Sequence, residues 1–412
     1  TVIYPPTTVL VPPNLGQIEV QFTPPAASTL YQLEFISAKA TVRIYTKQKN
    51  YNLTLDQWRA VGVTSAGTDV RLRVLATKYG AGVGVTSVSA NVNIRIAEKP
   101  VVGGLYYWVV DKHVAGGTKP TYGSIYRYNF EKPKVKADAY LTKKEVNDCV
   151  GCHSLSRGGK HIAFTFTGGN GDGAIFDVEK RQAVFDSRKG YKADLQTFNP
   201  DGTEVIVVNQ GKLTRHAVAD GKLLEDIPTG TGKATHPDWG PKGNKLLFVK
   251  VADKDYHSGG INDDVHFRNG SIYVMERSGG KWSTPKLLVK GGNGGANFYY
   301  PSFSPEADWI VFNRSTGDSY SDEDANIYII KPDGKGLRAL TSINGSKISN
   351  SWPKWSPKVE TYKNTTLYWL TFSSVRNYGV RLLNSSYSYY PNKAPQVWMT
   401  AFDVTRANQG QD

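Results

Sequence analysis

The chain has almost no sulfur: its 412 residues hold two cysteines and two methionines. So few cysteines exclude a scaffold built on several disulfides. They also leave no second Cys pair for a tetrahedral zinc site. Acid is short as well, with 36 Asp and Glu against 50 Lys and Arg, a formal charge of +14. A basic exterior favours anionic partners, and an acidic redox protein is the partner expected here. No Arg/Lys-rich helix and no nucleic-acid motif is present, so nucleic acid is not expected. No run of 18 apolar residues occurs, which leaves no helical membrane span. A basic segment followed by an apolar one is missing at the start. Thr1 therefore reads as the first residue of a mature chain whose export signal has been removed.

What is abundant points to strands. The chain carries 41 Gly, 24 Tyr and 9 Trp, a profile that suits a turn-rich β protein. Both cysteines fall in one stretch, Cys149-Val150-Gly151-Cys152-His153. Cys-x-x-Cys-His is the attachment signature of c-type haem: two thiols add across two vinyl groups, and the next imidazole ligates iron. A thioredoxin-like pair would want a βαβ context, and none is visible. One covalent haem c is expected, held by Cys149 and Cys152, with His153 as the proximal ligand.

Residues 1–98 read as a first unit. Ile18-Glu19-Val20-Gln21-Phe22, Thr41-Val42-Arg43-Ile44-Tyr45, Val70 to Leu75 and Val92 to Ile96 alternate apolar and polar. Period two with one polar face predicts half-buried antiparallel strands and a β-sandwich. Leu55 to Ala60 reads as a helical turn.

Residues 99–412 read as a second unit, built on a repeat. An aromatic or Leu, a Pro-x-Gly-like turn and a short apolar strand recur. The copies are Phe198-Asn199-Pro200-Asp201-Gly202, Trp239-Gly240-Pro241-Lys242-Gly243, Phe303-Ser304-Pro305-Glu306-Ala307 and Trp355-Ser356-Pro357-Lys358. Several strands per repeat at this spacing predict propeller blades. Leu155-Ser156-Arg157-Gly158-Gly159-Lys160 is a degenerate copy, which places Cys152 and His153 on an inner strand near the channel. With the partial blade at Leu105 to Tyr128, the count is six blades, and the last is expected to draw strands from both chain ends.

These copies resemble the TolB-like six-bladed propeller family. The combination is closer still to exported bacterial proteins that join an N-terminal Ig-like (fibronectin-like) sandwich to a TolB-like, WD40-like propeller carrying one Cys-x-x-Cys-His. The stretches that carry the resemblance are Gly103 to Trp108, Cys149 to Ser156, His236-Pro237-Asp238-Trp239, Tyr300 to Pro305 and Ser351 to Pro357. It covers nearly the whole chain. It implies an all-β fold, a c-type haem and a periplasmic or extracellular location. Arg157-Gly158-Gly159 departs from the acidic turn usual in that family.

The sixth iron ligand decides the chemistry. Met275 and Met399 sit mid-strand beside aromatics and read as core. Among the histidines His113, His161, His216, His236, His257 and His266, turn alignment puts His236 at the position of Cys152 in another blade. It ranks first, ahead of His266 and His257, which lie in the insertion Asp253 to Asn269. Lys132, Lys134, Lys136, Lys143 and Lys144 bring positive charge just before the haem motif, where it can steer an acidic partner. Asp318 with Asp322 to Asn326, and Asn170 to Asp172, carry oxygen ligands suited to Ca²⁺.

The leading expectation is a monohaem cytochrome that passes single electrons outside the cytoplasm, to a redox protein or other cytochromes in a larger complex. A haem enzyme with an open iron site, such as a peroxidase or reductase, is the alternative. A structural or interaction propeller is the third reading.

Overall fold

Alternation builds the first unit. In the strand Asp69–Thr77, Val70, Leu72, Val74 and Ala76 are buried while Asp69 and Arg71 face solvent. That strand lies inside a six-stranded sheet. Val9–Val11, Val92–Ile96, Asp69–Thr77, Leu30–Ile36 and Thr41–Thr46 are neighbours in that order, and Ser87–Val88 pairs beside Asp69–Thr77. Val9–Val11 runs parallel to Val92–Ile96. A second sheet holds Val2–Tyr4, Glu19–Phe22 and Asn50–Asn52. The two sheets share one core that includes Val20, Phe22, Leu33, Phe35, Leu72 and Ile94. Trp58 enters that core from the helix Leu55–Gly62, whose start is fixed by a capping box between Thr54 and Gln57. The structure, a computed structural model, describes residues 1–411 apart from 17, 81–83, 86, 111–122, 135, 167, 186–187, 189–190, 259–264, 321 and 377–394.

Asn14 ties this first unit to the second. Its side chain donates to the carbonyls of Val101 and Phe130 and accepts from the Val101 amide.

Beyond Val101 the chain is a β-propeller. Six antiparallel sheets succeed one another among the described residues. The first holds Gly104–Val110, Gly123–Asn129 and Asp138–Leu141. The second starts at Val150–Leu155, the third at Gln196–Phe198, the fourth at Lys233–Trp239, the fifth at Asn297–Phe303 and the sixth at Ser351–Tyr362. From the second sheet onward, each of these inner strands packs beside the inner strand of the next sheet. Apolar clusters fill the gaps between faces, as where Leu247 and Ile272 of the fourth sheet meet Phe303 and Phe312 of the fifth. Leu105, Tyr128 and Phe130 near the first sheet also cluster with Trp369, Met399 and Ala401 of the sixth. The last sheet thus packs back on the first.

Two details differ from the sequence reading. Trp355 to Lys358 is not a turn. The strand runs on from Ser351 to Tyr362, takes a second irregularity between Trp355 and Val359, and reverses at Lys363 and Asn364, which have positive φ. The sixth sheet also draws its three strands, Ser351–Tyr362, Thr365–Ser374 and Gln396–Asp403, from the C-terminal end alone. The N-terminal strands are consumed by their own two sheets.

Candidate functional site

Four inner strands carry the same defect. Pairing slips between Gly151 and Ser154, between Thr235 and Asp238, between Tyr299 and Ser302, and between Ser351 and Lys354. Each slip sets two residues against one, a β-bulge that kinks the strand. The bulged pairs are Cys152-His153, His236-Pro237, Tyr300-Pro301 and Trp352-Pro353. The residue skipped on the partner strand is a buried Phe every time: Phe164, Phe248, Phe312 and Phe372. Every first bulge residue has a left-handed backbone, with φ of 39° at Cys152, 47° at His236, 49° at Tyr300 and 58° at Trp352. Such a φ strains any residue but glycine, and here it recurs in register. Proline suits the second place because a bulge leaves that amide out of the ladder. His153 takes the place that proline holds in the other three.

The Cys149 to His153 motif leans on the first sheet. The Trp108 indole donates to the Val150 carbonyl at 2.6 Å, and the Gly123 amide donates to the Cys149 sulfur at 3.2 Å. A side chain at residue 123 would strike Trp108 and the Val150 carbonyl, so only glycine permits this approach. A short capped helix, Lys143–Val146, delivers the chain to the motif, with Thr142 and Glu145 closing a capping box. Neither cysteine is in a disulfide. Burial pushes the Cys149 thiol up, against the pull of the Gly123 amide. A ring nitrogen of His153 lies 3.4 Å from the Tyr106 carbonyl. Burial holds this imidazole below the usual histidine range, so it is neutral at neutral pH. A neutral ring with a carbonyl beside it is what a metal-ligating histidine requires.

The other bulges face the same region. Cys152 sulfur lies 3.9 Å from the Asp194 carboxylate, which is 3% exposed. Desolvation drives the pKa of the half-buried Tyr300 phenol well upward, with further pushes from Tyr320, Tyr299, Cys152 and Asp194. Tyr300 packs on His236, with ring centroids 4.1 Å apart, and Phe267 closes the other side at 5.2 Å. His236 is 4% exposed, and its Nδ1 has no hydrogen-bond partner. Burial alone pushes its pKa down to about 3. A buried, neutral, unpartnered imidazole nitrogen is a polar group left unsatisfied at a cost, and it has the chemistry of an iron ligand. These residues therefore fit a covalent haem: two thiols, one neutral imidazole beside them and a second one without a partner.

The two alternate ligands are placed differently. Tyr256–His257 pairs with His266–Phe267 as a small hairpin. Tyr256 and Phe267 pack into the cluster of Val249, Val251, Tyr299 and Tyr300, whereas His257 is exposed and lies against His266. His113 lies outside the described residues. Met275 is fully buried in core, and Met399 packs at the contact between the sixth and first sheets. His216 is buried as well, bonded to Thr214 and the Gly221 carbonyl.

A buried ionic hub lies at the same inner strands. Asp238, 3% exposed, accepts from Lys354 at 2.7 Å and from the Phe303 amide at 2.8 Å, and Arg157 stands 3.6 Å away. Arg157 also donates to the Trp239 carbonyl. The turn at Arg157 thus reaches from the second sheet to the fourth. The acidic residues read as a Ca²⁺ site have partners within the protein. Asp322 accepts from the amides of Gly317 and Asp324, Asp318 from Tyr320, and Asp172 pairs with Lys192. No group of three or more metal-ligating side chains converges among the described residues. Of the basic run, Lys134 pairs with Asp138, and Lys143 and Lys144 are exposed.

Sequence reasoning missed Asp194, Tyr300, Trp352 and Phe267. The signal for two of them was present: Tyr300-Pro301 and Trp352-Pro353 repeat the dipeptide His236-Pro237 at one place before the turn.

No family model matches the chain. No curated protein matches it either. Among solved structures, hydrazine synthase of Kuenenia stuttgartiensis is 12% identical over 61% of this chain and 70% of its own, with a TM-score of 0.39. The dihydro-haem d1 dehydrogenase NirN is 14% identical over 61% of this chain, with a TM-score of 0.36. The chain spans 49% of the length of NirN. The β-propeller domain of Swd1 from Myceliophteria thermophila is 11% identical over 63% of this chain and 73% of its own, at a TM-score of 0.35.

Proposed function

We propose that this chain is an exported monohaem c-type cytochrome, with an Ig-like sandwich (residues 1–98) ahead of a six-bladed TolB-like propeller (residues 99–412). Cys149 and Cys152 would hold the haem covalently, and His153 and His236 would ligate its iron. When bound, the haem supplies one-electron iron chemistry. The chain's part is to hold two neutral imidazoles, with the Tyr106 carbonyl beside His153 and the Tyr300 and Phe267 rings packed on His236. Its function is single-electron transfer to a redox protein or to other cytochromes.

The observation that carries the reading is the equivalence of Cys152 and His236. One bulge position supplies a thiol in the second sheet and a buried imidazole with an unpartnered Nδ1 in the fourth. The test is the absorption spectrum of purified protein, oxidised and dithionite-reduced, with and without CO, for wild type and His236→Ala. A low-spin c-type spectrum indifferent to CO in wild type, and a CO-sensitive one in the variant, is the expected result. CO binding to wild type would move the open-site enzyme ahead. A low-spin spectrum that survives the substitution would remove His236.

A further inference from the structure

We propose that Trp352 is the port through which electrons enter and leave, an inference that rests on the cytochrome reading. Three successive bulges carry aromatic rings, and they touch. His236 packs on Tyr300 at 4.1 Å between centroids, and Tyr300 stacks on Trp352 at 4.5 Å with planes 30° apart. The run starts at a ring that is 4% exposed and ends at one that is 42% exposed. It passes along the inner strands of the fourth, fifth and sixth sheets, ring against ring, from a buried side chain to an exposed one. Electron tunnelling decays faster through gaps than through packed atoms, so this run is the favoured medium from the distal imidazole outward.

Trp352 is also held in place. Asn313, fully buried, accepts from the Trp352 amide at 3.0 Å and from the Ser351 hydroxyl at 3.3 Å, and donates to the Asn350 carbonyl. Tyr320 meets the indole edge-on at 6.2 Å. An exposed indole thus sits between two rings, on a backbone that Asn313 pins, as a preorganised contact does. The role is one of positioning: one electron passes, no bond forms or breaks, and the indole itself is not oxidised.

The test is the oxidation of reduced protein by ferricyanide, which becomes ferrocyanide, in wild type, Trp352→Ala and Trp352→Phe. Haem content, low-spin spectrum and midpoint potential are measured first, and a protein without haem overturns the parent reading and the port with it. With those three unchanged, the second-order rate should fall by roughly tenfold in the Ala variant, the loss expected of one interface anchor, and recover in the Phe variant. The indole N–H resonance missing from W352F should also shift between the oxidised and reduced wild type. A wild-type rate in W352A, or an indole resonance blind to oxidation state, overturns the port. Should W352A not fold, Trp352→Leu against Trp352→Phe makes the same comparison of aliphatic with aromatic.

Discussion

Cys152 and His236 are one residue of a repeat seen in two sheets. Each opens an inner-strand bulge, with φ of 39° and 47°, and each bulge skips a buried Phe on the partner strand. The Cys-x-x-Cys-His motif therefore sits on the same backbone bulge that three other sheets carry.

That equivalence predicts an unusual tolerance. Proline inside a sheet is normally disruptive because it removes a ladder hydrogen bond. At residue 153 it should be accommodated, since Pro237, Pro301 and Pro353 hold the same place. His153→Pro is expected to keep the far-UV circular dichroism of wild type and to lose the low-spin haem spectrum. A variant that fails to fold would show that the bulges differ in backbone.

The sequence revealed the inner strands and hid their contacts. Phe198 to Gly202 and Trp239 to Gly243 read correctly as turns because proline and glycine punctuate them. Trp355-Ser356-Pro357-Lys358 misled: the strand passes through it as an irregularity and turns only at Lys363 and Asn364. The hub at Asp238 was not legible, since Arg157 and Lys354 reach it from positions 81 and 116 residues away (238 − 157 and 354 − 238). Nor was the face of His257 and His266. A two-residue strand has no period to read, and only the packing of Tyr256 and Phe267 fixes which side is inward.

The hub makes a stability prediction. Asp238 is buried and accepts from groups of the fifth and sixth sheets, with Arg157 of the second beside it. Removing it leaves the Lys354 ammonium and the Phe303 amide without their acceptor, and Arg157 without its counter-charge. Asp238→Ala should lower the urea-unfolding free energy by about 2–3 kcal/mol, below the full cost of breaking a buried pair because Lys354 is half exposed. Arg157→Ala should cost less, since Lys354 and the Phe303 amide still satisfy the carboxylate. Equal losses in the two variants would show that Arg157 carries the hub.

Glu34 predicts a pH dependence in the first unit. Its side chain is 3% exposed, and it lies opposite Arg73 and Arg43 on the two flanking strands. Burial would raise its pKa, but hydrogen bonds and charge from Arg73 and Arg43 hold it below the value of 4.5 it would have unfolded. The folded state therefore prefers the carboxylate. Its contribution is full above that unfolded value and is lost as pH falls through it toward the folded pKa. Urea midpoints taken at about pH 7 and about pH 3.5 should drop less for Glu34→Gln than for wild type. The variant should be the less stable of the two at the higher pH. Parallel drops would place the acid sensitivity elsewhere.

The last prediction isolates backbone strain in the repeat turn. Gly159, Gly202 and Gly243 close three copies with φ of 70°, 74° and 74°, each donating its amide to the residue three before. Ala307 closes the fourth at 58° with the same bond to Ser304. A Cβ at Gly243 would meet only Pro200, at an ordinary 3.5 Å, so space does not oppose an alanine there. The left-handed φ does, at about 1 kcal/mol or slightly more. Gly243→Ala should destabilise by about that amount. Ala307→Gly relieves the same strain but frees the unfolded chain and removes a methyl that packs on the core of the fourth and fifth sheets. Those effects oppose one another, so its change should stay within about 0.5 kcal/mol of wild type. Urea unfolding of both variants measures the difference. If Ala307→Gly loses as much as Gly243→Ala, packing rather than φ governs this turn.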